Sequence, residues 1–321
     1  MNILVTGAAG FIGYNFIKQL QNNKKIKIIG IDIFEDYYDV NLKKKRILDL
    51  KKNRNFNFFK INIHKEKDVF NLFKKNKFNI VYNFAAQAGV RYSIENPRKY
   101  IENNINGFFN IIENCRKFKI ERLFFASSSS VYGENKNFPL NEKEKIYPKN
   151  IYALSKKNNE EVASLYEKYY GLKSTALRFF TVYGEWGRPD MFIMKYMDSY
   201  RRKKTFYLNN FGDHLRDFTY IKDVTKILES MLKKRKSLNK FDIFNICSNK
   251  PINLERVISF MSKNKIKPKV KKVGLQQADI YKTHGNNSKI IRFTKFKKFT
   301  NLEYGLSQTL LWYKQYHRLK K

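Results

Sequence analysis

Tyr152 and Lys156 stand four residues apart in "YALSKKNNE", a spacing that puts a phenol and an ammonium on one face of a helix. A phenol is a poor base near neutral pH until a positive charge stabilises its phenolate. Upstream, "SSSSVYG" (Ser127 to Gly133) sets four hydroxyls in a row after the apolar run "LFFA", with no carboxylate among them. Phenol, ammonium and hydroxyl are groups that move a proton to and from an alcohol, the hydroxyls bonding the reacting oxygen. Tyr-x-x-x-Lys alone is a common surface pair, so its surroundings decide.

Those surroundings begin at the N-terminus. "NILVTGAAGFIGYNFIKQL" (Asn2 to Leu20) starts as a short apolar strand and runs through glycines into an amphipathic helix. Gly7, Gly10 and Gly13 permit a tight turn and a close backbone approach to a pyrophosphate, with Phe11 and Ile12 in the helix's first turn. A second strand, "KIIGID", ends on Asp32 at the distance a βαβ unit requires. A carboxylate there accepts from the adenosine ribose and repels a 2′-phosphate, which points to NAD over NADP. The bound nicotinamide would add its own positive charge beside Tyr152, and Lys156 could hold its ribose.

The alternation continues. Strands are expected at Phe56–Ile61, Ile80–Phe84, Arg122–Ala126 and Ser174–Phe179, and helices at Leu42–Leu50, Asp68–Asn76, Pro97–Phe118 and Ile151–Tyr170. This is the pattern of an α/β fold, a Rossmann-type doubly wound parallel sheet. Its ligands lie beyond the carboxyl ends of the strands. Both "AAQAG" (Ala85 to Gly89) and the serine run therefore open onto the cofactor cleft. From about residue 181 the alternation loosens into aromatics, loops and short strands. A cofactor domain over 1–180 and a smaller, mainly substrate-binding domain over 181–321 are expected, the chain weaving between them.

The formal charge is +37, from 65 Lys and Arg against 28 Asp and Glu. The lysines are scattered among Asn and Ile rather than clustered in a reading module, so a solvated basic surface is expected and nucleic acid is not. Such a field still attracts a small anion. Cys115 and Cys247 fall in a predicted helix and a predicted strand and read as lone buried thiols, which suits a reduced cytoplasm. No metal-ligand cluster, signal peptide or membrane-spanning run is apparent.

"AAQAGVRYSIENPRKY" (85–100), "FASSSSVYG" (125–133), "LRFFTVYGEWGRPDM" (177–191) and "RDFTYIKDV" (216–224) carry a more specific signal. Over essentially its whole length the chain resembles the extended short-chain dehydrogenase/reductases of the nucleotide-sugar branch, and within them the UDP-glucuronate 4-epimerases. The resemblance implies a catalytic set of Ser128, Tyr152 and Lys156. It implies a cofactor site that adds Asn62, Ile63, Ala85, Ala86 and Asn104 to the glycine turn and Asp32. It places Arg91, Ser128, Ser129, Ser130, Thr181, Arg188, Arg216 and Asp279 on the substrate side, the arginines suited to a pyrophosphate. It also implies a homodimer through helices that include the one bearing Tyr152.

Three departures stand out. Asn62 replaces the family's usual acid, Glu185 replaces a proline, and "QQADIYKTHGN" (276–286) keeps Asp279 and Thr283 but loses a glycine and a final acid. Related dehydratases resemble T-D-E or T-S-E where this chain has Ser128, Ser129 and Ser130. Without Asp or Glu there, elimination lacks its proton shuttle, whereas hydroxyls can bond a substrate carboxylate without repelling it. The expected activity is reversible oxidation and reduction at the 4-carbon of a UDP-sugar, most simply UDP-glucuronate to UDP-galacturonate. An epimerase of neutral UDP-sugars and a non-catalytic NAD(H)-binding regulator remain as alternatives, the latter disfavoured by the intact Tyr152–Lys156 pair.

Overall fold

The computed structural model describes residues 1–21, 23–275 and 280–319. The first half alternates as β1 (Asn2–Thr6), α1 (Phe11–Leu20), β2 (Lys27–Asp32), α2 (Val40–Leu50), β3 (Phe56–Lys60), α3 (Glu66–Lys75) and β4 (Ile80–Asn83). Two short helices, α4 (Tyr92–Glu95) and α5 (Pro97–Tyr100), lead through a π-helical turn at Ile101–Asn106 into α6 (Gly107–Lys117). Then come β5 (Arg122–Ser128), α7 (Ile151–Tyr170) and β6 (Ser174–Phe179). All six strands are parallel; β1, β4, β5 and β6 are buried along nearly their whole length, which is why they read as near-continuous apolar runs, whereas β3 at the sheet edge is largely exposed. β1 shows the logic: Ile3 and Val5 enter the core on one face of the sheet, Leu4 the core on the other.

The second half supplies β7 (Thr181–Tyr183), α8 (Phe192–Arg201), β8 (Phe206–Leu208), β9 (Leu215–Tyr220) and α9 (Ile221–Lys233). It continues with β10 (Phe241–Ile246), β11 (Pro251–Asn253), α10 (Leu254–Lys263), β12 (Val270–Lys272), α11 (Ser288–Thr294) and α12 (Leu302–Tyr316). β10 returns to the large sheet, whose seven-strand order is β10-β6-β5-β4-β1-β2-β3. The remaining strands form two small sheets, β11-β9-β7 and β12-β8. Strand order reverses between β1 and β4, so the cleft of this doubly wound sheet opens at their carboxyl ends.

Several bounds differ from the sequence reading by one or two residues, as at α2, β3, α3 and β4, and two differences bear on the site. The helix expected over 97–118 is broken, because the turn at Ile101–Asn106 takes π-type bonding before α6 begins. β5 runs two residues further than expected, so Ser127 and Ser128 are strand residues, and Ser129 opens a 3₁₀ turn. Cys115 lies in α6 as expected, while Cys247 sits one residue past β10; both thiols are buried and free.

Candidate active site

β1 delivers the chain to Gly7 with φ of +67°, where a Cβ would meet the backbone nitrogen of Ala85 at 2.7 Å. Gly13 is equally constrained, since a Cβ there would lie 2.2 Å from the Gly7 carbonyl. These contacts keep the turn flat and draw the Ala85–Ala86 loop against it. No side chain caps α1 at Gly10, so its first-turn N–H groups and dipole face outward from Phe11 and Ile12. Asp32 is anchored in the turn: Ala9 N–H donates to Oδ2 at 3.1 Å and Phe34 N–H to Oδ1 at 2.9 Å. The uncapped helix, the cradle a Cβ would fill and the fixed carboxylate fit a dinucleotide pyrophosphate with its ribose.

On the opposite wall, α7 is set by Asn150, whose side chain accepts from Ala153 N–H, and stopped by Gly171 at φ +67°. Tyr152 and Lys156 share its inward face, the ammonium 5.9 Å from the phenol ring centroid. Lys156 is 3% exposed, and burial pulls its pKa down to about 8. Burial also raises the Tyr152 phenol, while the Ser128 hydroxyl and the Arg188 charge pull it back. Ser128 Oγ lies 3.1 Å from Ser130 Oγ and accepts from Ser130 N–H at 3.2 Å. Strand register sets Ser128 beside Phe179, two residues before Thr181. The serine run and Thr181 therefore occupy neighbouring strand ends.

A narrow cavity lies between Phe11, the first residue of α1, and the segment after β6, lined by Thr181, Gly187, Arg188, Met191 and Phe218. Arg188 grips Asp190 with two bonds, Nε–Oδ1 at 3.0 Å and Nη2–Oδ2 at 2.5 Å, and Tyr37 donates to the same carboxylate at 3.1 Å. Arg216 donates to the carbonyls of Leu215 and Tyr281. Arg91 lies against the Asn209 side-chain amide, which accepts from the guanidinium when its oxygen is turned toward it. Asp279 lies outside the described residues.

Asn104 reaches the cleft wall from the π-helical turn, but its amide is spent inside the protein. It accepts from Gln87 N–H at 2.7 Å and donates to Gln87 O and Ser155 Oγ, both at 3.0 Å. It thereby fixes the residue next to Lys156. Asn62 turns toward His64, accepting its N–H at 3.2 Å, and Ile63 packs under Gly107.

Two groups escaped the sequence reading. Arg46, fully buried on α2, donates to Ala9 O at 2.7 Å and Trp186 O at 2.5 Å. It joins the glycine turn to the loop that carries Arg188. Glu160, one turn beyond Lys156, receives the Ser127 hydroxyl and both arms of Arg178, at 2.9 and 2.7 Å. The spacing Tyr152, Lys156, Glu160 marks a single helix stripe, and that signal was readable. Nothing in the sequence marked Arg46.

A parallel sheet with a glycine-turn dinucleotide cleft and a Ser–Tyr–Lys wall defines an oxidoreductive enzyme of the short-chain dehydrogenase type. The chain belongs to the NAD dependent epimerase/dehydratase family, whose model matches residues 3–247. It is 39% identical to protein CapI of Staphylococcus aureus over 99% of this chain and 100% of that one. It is 37% identical to UDP-glucuronate 4-epimerase 4 of Arabidopsis thaliana over 99% of this chain and 76% of that one. The crystal structure of UDP-glucuronic acid 4-epimerase from Bacillus cereus, in complex with UDP-glucuronic acid and NAD, superposes with a TM-score of 0.92. Identity to it is 29%, over 98% of this chain and all of that one.

Proposed function

We propose that this chain interconverts UDP-glucuronate and UDP-galacturonate, with Tyr152 as base and acid, Lys156 as its electrostatic support and Ser128 as the group that bonds the reacting oxygen. The chain is an NAD-dependent UDP-sugar 4-epimerase, an isomerase. Bound NAD would supply a hydride acceptor and donor for the sugar's 4-carbon, held by the glycine turn, Asp32 and Lys156. The protein's part is proton traffic and orientation. Tyr152 removes the 4-hydroxyl proton as the ketone forms, and gives it back when the alcohol is remade. Lys156 stabilises the phenolate and holds the nicotinamide ribose. Asp32 receives the adenosine ribose, and Gly7, Gly10 and Gly13 admit the pyrophosphate.

One observation carries the reading: the buried Lys156 ammonium lies 5.9 Å from the Tyr152 ring, and the Tyr152 phenol meets the Ser128 hydroxyl at the carboxyl end of β5. Ser129, Ser130 and Thr181 would hold the sugar carboxylate, and Arg91, Arg188 and Arg216 the diphosphate. Incubating the protein with UDP-glucuronate and resolving the products by NMR tests it. UDP-galacturonate is expected with no added reductant. Equal turnover of UDP-glucose would instead favour the neutral-sugar reading.

A homodimer through α6 and α7 belongs to the same proposal. It is supported by large side chains left exposed on that helix pair, Phe109, Leu154, Leu165 and Tyr169. Residues 1–180 would serve mainly the cofactor and 181–321 mainly the substrate. No described helix is long and apolar enough to cross a membrane, and the two free thiols support a cytoplasmic setting.

A further inference from the structure

Asp217 lies in β9 between two residues that face other ways, and it is 0% exposed. Its carboxylate accepts four hydrogen bonds from two other parts of the chain. Oδ1 takes the Ser248 N–H at 2.9 Å and the Ser248 hydroxyl at 2.7 Å. Oδ2 takes Asn249 N–H at 3.1 Å and Gly285 N–H at 3.2 Å. Ser248 and Asn249 follow β10, the strand that closes the large sheet, whereas Gly285 belongs to the segment returning toward α11. One side chain thus ties the small sheet, the large sheet and the returning segment together.

The surrounding backbone shows what that tie holds. The returning segment runs beside β9: Leu215 N–H donates to Tyr281 O at 3.1 Å, Thr283 N–H to Leu215 O at 3.0 Å, and Asp217 N–H to Thr283 Oγ1 at 3.2 Å. Arg216 donates to Tyr281 O at 2.9 Å, so its guanidinium is oriented by the same segment. Gly285 lies where a Cβ would meet the Phe180 ring at 2.5 Å and the Cys247 sulfur at 2.6 Å. Phe180 immediately precedes Thr181, which pairs with Phe218 on β9. Both Arg216 and Thr181 are therefore within one residue of groups that the Asp217 carboxylate or its returning segment holds.

We propose that Asp217 is a positioning residue for substrate: its carboxylate latches the returning segment and the end of β10 onto β9, setting Arg216 and Thr181 to receive the uridine diphosphate sugar. The inference rests on the substrate-side assignment of those two residues. A carboxylate is needed because all four partners are donors. An amide at this position turns an NH₂ group toward two of them and breaks the latch. Burial makes the ionised group costly, and it outweighs the four hydrogen bonds, pushing the pKa up to about 6. The latch is thus intact when Asp217 is ionised and is lost as pH falls through that value. The titratable and charged groups around it are His214 just before β9, Arg216 on β9, Cys247 after β10, and Lys282 and His284 on the returning segment. Burial holds the Cys247 thiol protonated, and burial with the nearby Lys282 lowers the His284 pKa below its usual value.

The test uses the full chain with its co-purified NAD and titrates UDP by calorimetry, so it does not depend on which sugar is turned over. Asp217→Asn is expected to bind UDP about tenfold more weakly, with NAD content and melting temperature held, because a neutral isostere relieves the buried charge. Ser248→Ala removes one of the four donors and should weaken UDP binding about threefold, which keeps the test alive if the first variant does not fold. Between about pH 7 and 5 wild-type UDP affinity should fall further than that of Asp217→Asn, whose remaining slope reports protonation of UDP's own terminal phosphate. Unchanged UDP binding in both variants overturns the proposal. So does joint loss of NAD and melting temperature, which would make Asp217 a general structural support. Equal pH slopes in wild type and Asp217→Asn would place the titration on UDP or the histidines and likewise overturn it. Failure of wild type to turn over UDP-glucuronate, with these UDP results intact, would strike only the sugar assignment.

Discussion

Lys156 is held at a cost. Its folded pKa of about 8 lies below its ordinary value because burial disfavours the ammonium. The penalty is therefore full below that pH, fades as pH rises and vanishes above the unfolded pKa. Lys156→Met should raise the melting temperature of NAD-free protein at pH 7 by removing about 3 kcal/mol of desolvation, yet nearly abolish turnover. The stability gap between the two should close as pH climbs from 8 toward 10.5; a constant gap would mean the ammonium is not the buried species. Tyr152→Phe keeps the ring and its packing against Tyr100 but removes the proton acceptor. NAD should remain bound while the rate falls by roughly 10² or more, as single-turnover kinetics would show. Thr181 and Ser129 govern a subtler outcome. A 4-keto glucuronate is a β-keto acid, which loses carbon dioxide when its carboxylate aligns with the ketone π system. On the proposed function, hydrogen bonds from Thr181 and the serine run would hold it out of alignment, each worth roughly 1.5–3 kcal/mol to a charged acceptor. Thr181→Ala, and more so its double with Ser129→Ala, should release UDP-pentose beside UDP-galacturonate, measurable by NMR and carbon dioxide capture. Slower epimerisation without carbon dioxide would remove the serines from that role.

At the scale of elements, the glycine turn, β2 ending on Asp32 and the register of α7 were legible from the sequence, since each follows from local spacing and backbone need. Ile151–Tyr170 and Ser174–Phe179 agree to the residue, because a capping Asn, a terminal Gly171 and a fully buried strand leave little latitude. The π-helical turn at Ile101–Asn106 was not legible. Its cause is tertiary, the demand that Asn104 reach both Gln87 and Ser155. Arg46 was hidden for the same reason, its partners being carbonyls remote in sequence. The ion pair of Glu160 with Arg178 fixes α7 against β6, with side chains 4% and 3% exposed. Glu160→Gln leaves the guanidinium uncompensated and should cost about 3–5 kcal/mol in denaturant unfolding. Replacing both partners with methionine should cost less than the single change. The reverse order would mean that the pair does not act as a unit.

At the scale of the molecule, the charge of +37 sets up a long-range field that can draw in an anionic sugar nucleotide, while its orientation is left to the groups at the site. The strand order carries a further consequence. β6 is flanked by β5 on one side and by β10 on the other, yet some sixty residues of small-sheet chain separate β6 from β10. While the chain is being made, β6 must wait with an open row of backbone donors and acceptors until residue 246 has left the ribosome. Expressed alone, residues 1–180 should aggregate, whereas residues 1–247 should recover soluble protein, as sedimentation of the two fragments would show. During synthesis, then, β6 is where a chaperone would find the longest-lived adhesive surface, and codon or temperature changes that slow translation between 180 and 246 should lower yield more than the same delay elsewhere.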